Sequence, residues 1–485
     1  MSGAASSIDG RTFEFEAPLS GALPIGSYVR LDAGDESFLG QVLHEAVRGS
    51  SIGGAATEGA PQSIVGHGLL LAQLGVDGPR AVDGTAVFGQ ATMDRADSGI
   101  VNEHFAANRG KGASLALGTI QRMPDVPAML RASGFGRHTF LCGQSGSGKT
   151  YTLGLVLEQL LLDTDIRIGV IDPNSDYVNL ATLRPQADTG LDDDGYRSLT
   201  ERHAAVASGI HVFRGEGSAK RLTARYGRLS LEQQTMVLGI DPVRDPEEYN
   251  AFLRTVRTVE GSDYGLEDLI EAVRASFDDD VRRLGLRIDN LGIAKQSIWA
   301  GSSQGLVQQL PDDWRMIVAD VGSLPSRQEV SVASAAMLGF LWEQRHARRP
   351  MIIVIDEAHN VCPQNPVDAN QALATELVVR IAGEGRKFGL YLLLSTQRPS
   401  KVHPNVISQC DNLLLMKMNS ASDIASLSET FSYAPSHLVE LAAGFGLGEG
   451  LAAGKIAPDP LLFKSGSRLT LEGGTDVPSS WARAR

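Results

Sequence analysis

Gly143-Gln144-Ser145-Gly146-Ser147-Gly148-Lys149-Thr150 decides how this chain of 485 residues reads. It fits G-x-x-x-x-G-K-[ST] without a mismatch. The apolar Phe140-Leu141-Cys142 stands just before it, and Tyr151 to Leu162 repeats apolar residues at helical spacing after it. Strand, glycine-rich loop and helix form the context in which this motif binds phosphate. The glycines let backbone N–H groups point inward at the β- and γ-phosphates. Lys149 adds a point charge there, and the Thr150 hydroxyl can ligate Mg²⁺. The predicted nucleotide-binding set is Gly143, Ser145, Gly146, Ser147, Gly148, Lys149, Thr150 and Tyr151.

A second stretch predicts turnover. Met351-Ile352-Ile353-Val354-Ile355 is a short, β-branched apolar run of the kind found in buried parallel strands. It ends in Asp356-Glu357-Ala358-His359. A carboxylate at the C-terminal tip of such a strand lies where open α/β sheets bind ligands. Asp356 is expected to hold the Mg²⁺ shell, and Glu357 to polarise the attacking water. Two further strands end in polar tips, Asp172-Pro173-Asn174-Ser175-Asp176-Tyr177 and Ser395-Thr396-Gln397-Arg398-Pro399. Gln397 is the candidate sensor of the γ-phosphate or the water. An Asx-Pro turn and a plain loop are the structural alternatives for these two tips.

From about Met129 onward, strands alternate with helical patterns, which predicts a largely parallel α/β sheet. The expected strands are Thr139–Cys142, Arg167–Ile171, Trp314–Asp320, Met351–Ile355, Leu390–Ser395 and Asn412–Met416. Between about Leu183 and Ser302 acidic loops and amphipathic helices, such as Pro246–Val259 and Leu266–Phe277, read as a helical insertion. Ahead of the sheet, Thr12–Ala17, Ser27–Asp32, Phe38–Glu45, Gly66–Leu74 and Gly84–Ala91 read as short strands between turns. That spacing predicts a small antiparallel barrel. Phe105 to Arg122 reads as a connector.

Composition narrows the class. Hydrophobic residues at 42% and charged residues at 21% describe an ordinary globular chain with room for two or three domains. No apolar run approaches a membrane span, and the N-terminus lacks a signal-peptide pattern, so the cytoplasm is the expected compartment. Cys142, Cys362 and Cys410 are too few and too scattered for a disulfide framework or a zinc site. The net charge of −13 opposes general affinity for nucleic acid. The first 110 residues carry 6 Arg and no Lys against 7 Asp and 6 Glu, so any DNA contact needs a local basic surface.

Taken in order, Arg137-His138, the phosphate loop, Asp172 to Tyr177, Asp356-Glu357-Ala358-His359-Asn360, Glu384-Gly385-Arg386-Lys387-Phe388-Gly389 and Ser395 to Pro399 resemble HerA. HerA proteins belong to the FtsK–HerA class of hexameric motor ATPases, and the resemblance covers nearly the whole chain. It implies a HAS-barrel-like β-domain over residues 1–105 and a RecA-like P-loop NTPase core over 106–485. The helical insertion then falls at about 183–302 and a C-terminal tail segment at about 465–485, where Glu472 to Trp481 is similar to the family's closing segment. It implies ATP and Mg²⁺ at a site between neighbouring subunits of a homohexameric ring. Arg386 matches an arginine that reaches the adjoining subunit's site, and Arg137 is a second candidate. A cation near a helix C-terminus is the alternative for Arg386. Asn174-Ser175 and Lys417 depart from the family's usual His-Gly and arginine.

The resemblance further implies translocation on double-stranded DNA beside a NurA-like nuclease or a defence effector, with no membrane partner. A superfamily-two helicase needs a second RecA-like domain, and only 88 residues follow Gln397. An ABC-type signature is absent from the sequence, and the Gly-Arg-Lys run separates the chain from rotary synthase subunits. The remaining alternative is an ATP-dependent ring that scaffolds a partner enzyme with little or no translocation. The acidic N-terminal region favours that alternative.

Overall fold

The computed structural model describes residues 3–48, 63–259, 264–301 and 305–474. The chain packs as two units. One gathers the chain up to Gly134, Gly146–Gly148 and Asn412–Gly466; the other holds Phe135–Ser145, Lys149–Asp411 and the chain from Ser467.

The first unit opens with β1 (Gly3–Ser7), β2 (Thr12–Pro18), β3 (Tyr28–Ala33), β4 (Glu36–Arg48), β5 (Ser63–Gly75), β6 (Gly78–Ala81) and β7 (Phe88–Arg95). Their order is β2-β1-β7-β3-β4-β5-β6, and a further β2–β5 pairing closes the first six into a barrel. Alternation drives the closure. Phe13, Phe15 and Ala17 of β2 are buried while Thr12, Glu14 and Glu16 face out. The two rings lie on glycines directly across the ladder, since Phe13 pairs with Gly68 and Phe15 with Gly66. A Cβ on Gly68 would sit 2.4 Å from the Phe13 ring. Val29, Leu31, Phe38, Val42, Ile64 and Met93 complete the core.

Three expectations shift here. Gly3–Ser7 is a strand without a hydrophobic signature, because its inward residues are Gly3, Ala5 and Ser7. The strand expected at Gly84–Ala91 begins only at Phe88 and runs to Arg95. The stretch read as a connector is structured: Ser98–Ala107 is a helix, which contains the expected domain boundary at residue 105, and β8 (Ser114–Ile120) pairs with β9 (Met123–Arg131).

The second unit carries β10 (His138–Cys142), β11 (Arg167–Asp172), β12 (Ile210–Phe213), β13 (Met316–Asp320), β14 (Met351–Ile355) and β15 (Leu390–Thr396). They are parallel throughout, in the order β12-β13-β11-β14-β15-β10. All five residues of β10, β13 and β14 are buried, as strands of a parallel sheet covered on both faces should be. β12 lies inside the stretch read as helical insertion. The helices Asp193–Ala207, Leu231–Val237, Pro246–Thr258, Leu266–Ala275 and Asp279–Leu291 fill about half of the rest of that stretch. Finally β16 (Cys410–Met416) leads back to the first unit, where β17 (Glu449–Gly454) and β18 (Leu461–Ser465) continue antiparallel into β8.

Candidate nucleotide-hydrolysis site

The phosphate loop leaves β10 and enters the helix Lys149–Asp163, so Lys149 and Thr150 occupy that helix's first turn. Its unpaired N–H groups make an anion site. Gly146 (φ 74°) and Gly148 (φ 91°) adopt the left-handed conformation that only glycine takes freely. Ser147 Oγ is buried and without a hydrogen-bond partner, a donor available to a phosphate oxygen.

β15 lies between β10 and β14, which places the tips of β14 and β15 beside the loop's lysine. Lys149 Nζ donates to Asp356 Oδ1 and to Ser395 Oγ, each at 2.9 Å, and stands 3.2 Å from Glu357 Oε1. Burial works against the charge on Lys149, but the Asp356 and Glu357 carboxylates outweigh it and raise its pKa. Burial likewise pushes the Asp356 carboxyl up, and the Lys149 ammonium more than reverses this, holding it below the usual carboxylate range. Lys149 and Asp356 are thus locked as an ion pair.

Glu357 sits at φ 45°, ψ 49°, a left-handed conformation unusual for a residue with a side chain. The turn directs its carboxylate inward. Its Oε2 is buried, has no hydrogen-bond donor, and lies 3.3 Å from His359 Nδ1. The same His359 nitrogen is 3.0 Å from Thr396 Oγ1, and burial lowers the ring's pKa.

The Asp172 to Tyr177 tip is an Asx-type turn with a purpose. Asp172 accepts from the backbone N–H groups of Asn174, Asp176 and Tyr177, at 3.2, 3.1 and 2.9 Å. Burial pushes its pKa up to about 7. The turn, with Ser175 at φ 61°, delivers the Tyr177 hydroxyl to Asp356 Oδ2 at 3.1 Å. Asp176 stands close enough to Asp356 that burial and that neighbouring charge raise its pKa to about 6.

Other expected residues fall elsewhere. Gln397 is half-buried one position beyond the two side chains that do enter the cluster, Ser395 and Thr396. Tyr151 turns its hydroxyl to the tail, accepting from Arg468 N at 2.7 Å. Arg137 and Arg386 make no ion pair with Asp356 or Glu357. Both meet Asp411, at 3.8 Å and 2.7 Å. The sequence reading missed Tyr177, Ser395, Thr396 and His359 as parts of this cluster; adjacency to the quoted motifs was their only signal. Among the described residues no group of three or more His, Cys, Asp or Glu is arranged to hold a metal ion by itself. A hydroxyl and one carboxylate, Thr150 and Asp356, fit Mg²⁺, which keeps several waters and takes its other ligands from phosphate oxygens.

The profile described as "Helicase HerA, central domain" matches residues 115–335, and that of the ATPase family associated with various cellular activities matches 305–418. In its central region the chain is similar to HerA-type helicases, and ATP hydrolysis is the activity these matches support. It is 24% identical over 358 residues to the DNA double-strand break repair helicase HerA of Sulfurisphaera tokodaii, covering 70% of this chain and 67% of that one. With the protein of the same name from Pyrococcus furiosus it shares 22% over 390 residues, covering 72% and 69%. The structure of VirB4 of Thermoanaerobacter pseudethanolicus superposes with a TM-score of 0.52 at 16% identity, over 74% of this chain and 98% of that one, and shows the same fold. ATP is therefore the substrate. Among the described residues no helix is long and apolar enough to cross a membrane.

Proposed function

We propose that this chain works as a homohexameric ring whose ATP hydrolysis moves double-stranded DNA, beside a nuclease or other effector. The observation that carries the ring is where the arginines lie. Arg137 immediately precedes β10, whereas the phosphate loop follows it; Arg386 precedes β15, whereas Ser395 and Thr396 end it. Six residues of extended chain separate Arg137 from Gly143, about 20 Å at strand rise. No arginine side chain spans that distance, so neither reaches its own subunit's phosphates, and in the proposed ring the two serve a neighbouring subunit's. An arginine supplied in this way accelerates hydrolysis by roughly 10³–10⁵.

Within one subunit the chemistry divides as follows. Backbone N–H groups of Gln144 to Thr150 hold the β- and γ-phosphates, while that of Gly143 donates to Thr396 O. Lys149 exchanges its carboxylate partners for phosphate oxygens, which frees Glu357 to accept a proton from the attacking water. Thr150 and Asp356 would hold Mg²⁺, which neutralises charge on the phosphates when bound. Tyr177 fixes the orientation of Asp356. The neighbour's Arg386 and Arg137 stabilise charge on the transferring phosphoryl group.

DNA as the track rests on the relatives' function. The scaffold reading keeps one observation in its favour, the acidic barrel with 6 basic against 13 acidic residues over the first 110. One experiment addresses both. Mixing Arg386→Ala with Glu357→Gln subunits should restore some ATPase activity, because some interfaces then contain both intact groups. A monomer that hydrolyses ATP at full rate removes the ring. An active ring that DNA never stimulates, with or without its effector, leaves the scaffold.

A further inference from the structure

Arg137 and Arg386 come from different elements, yet they converge on one carboxylate oxygen. Arg386 Nη1 lies 2.7 Å and Arg137 Nη1 3.8 Å from the same Asp411 Oδ2. Asp411 is the second residue of β16, so a strand end holds it. Arg386 stands in the short helical turn Gly385–Phe388 after the helix Ala369–Glu384. All three side chains are about two-fifths exposed, which makes each ion pair a weak contributor to stability. Two guanidinium groups repel each other; a shared carboxylate removes that repulsion and fixes where they meet. From this shared oxygen we propose that Asp411 is a positioning residue, which aims Arg137 and Arg386 together at the γ-phosphate of the adjoining subunit.

Donor arithmetic supports this. A guanidinium carries five N–H donors, and Asp411 is approached by Nη1 alone in each case. The remaining donors stay available to phosphate while the carboxylate sets the direction. His138 braces the same corner from below. Its Nδ1 accepts from Leu392 N at 2.9 Å, so the opposite nitrogen donates to Ala382 O at 3.0 Å. That ties β10 to β15 and to the helix that ends two residues before Arg386. Burial, helped by the two arginines, lowers the His138 pKa to about 4, so the ring stays neutral and does not compete for Asp411.

The inference rests on the ring reading, and the test separates the two. In the full chain, Asp411→Asn should lower kcat by about 10- to 100-fold, the range expected when a reacting group is displaced by about an ångström. KM for ATP should stay within about twofold, and Asp411→Glu should recover most of the rate. On an Arg137→Ala/Arg386→Ala background, Asp411→Asn should have no further effect, as for a residue acting only through those two. Wild-type or raised kcat in Asp411→Asn overturns the proposal, and so does an added loss on the double-arginine background. Thermal melting of both Asp411 variants distinguishes mispositioning from misfolding, since a fall in kcat without a fall in melting temperature is required. If Arg386→Ala and Glu357→Gln subunits fail to complement, the ring reading itself has failed. If they complement and Asp411→Asn is unaffected, only the assignment of Asp411 falls.

Discussion

Lys149 carries two tasks that pull in different directions. In the proposed function it must meet a phosphate, yet it is the buried counter-charge of Asp356 and Glu357. Lys149→Ala should therefore do more than abolish ATP binding. Removing one partner of a buried ion pair leaves the other uncompensated, at a cost of up to about 3–5 kcal/mol. The nucleotide-free variant should melt below the wild type, and equal melting temperatures would show that the pair does not stabilise the fold. Glu357→Gln separates binding from chemistry. The amide keeps the shape but not the basicity, so ATP should remain bound while turnover falls by at least about 10². Filter binding beside a single-turnover assay reads both, and normal turnover removes Glu357 from the base role. Motif spacing alone placed Lys149, Asp356 and Glu357 at one point. It could not place Tyr177, because that contact depends on the turn Asp172 builds, nor choose Ser395 and Thr396 over Gln397, because strand-tip geometry decides which side chain faces the lysine.

At the scale of elements, legibility followed burial. β14 and its parallel neighbours are long apolar runs and were found within one or two residues. The four residues of β12 and the small residues of β1 bury too little apolar surface to show a period. The β8–β9 hairpin was missed because its partner strand, β18, lies more than 300 residues later in the chain. One element contact yields a sharp test. The tail at Arg468–Thr470 is laced to the helix Lys149–Asp163: Leu469 N and Thr470 N donate to Glu158 at 2.8 and 3.0 Å. The fully buried Arg468 guanidinium lies on Gly154, where a Cβ would come within 2.4 Å of Cζ. Alanine is the better helix former by about 1 kcal/mol. Overpacking typically costs about 1–3 kcal/mol, and here it would also displace a buried charge. Gly154→Ala should thus lower stability in urea melts, and an increase would mean that the tail does not pack here. The family's closing segment lies partly beyond this point: residues 475–485, including Trp481, fall outside the described residues.

For the whole molecule the unresolved tension is charge. A net charge of −13 opposes DNA at long range, while the HerA relatives are DNA repair helicases. A ring reconciles the two only if each subunit places a few cations on one inner surface, where six copies multiply them. Each phosphate neutralised releases counterions, so affinity then falls steeply with salt in proportion to the contacts made. Charges on the acidic exterior are screened beyond about 8 Å at physiological ionic strength, so they penalise approach mainly at low salt. The two effects oppose each other, and the counterion term is the steeper one once DNA is inside. Double-stranded DNA should therefore stimulate ATP turnover most at low to moderate salt, and the stimulation should collapse as salt rises. An effector that loads DNA should shift the collapse to higher salt without altering turnover in the absence of DNA. Measuring ATPase rate against salt, with and without DNA and effector, reads all of this. Stimulation that is absent at every salt concentration, in a ring that hydrolyses ATP, would assign the ATP cycle to assembling the effector rather than to moving DNA.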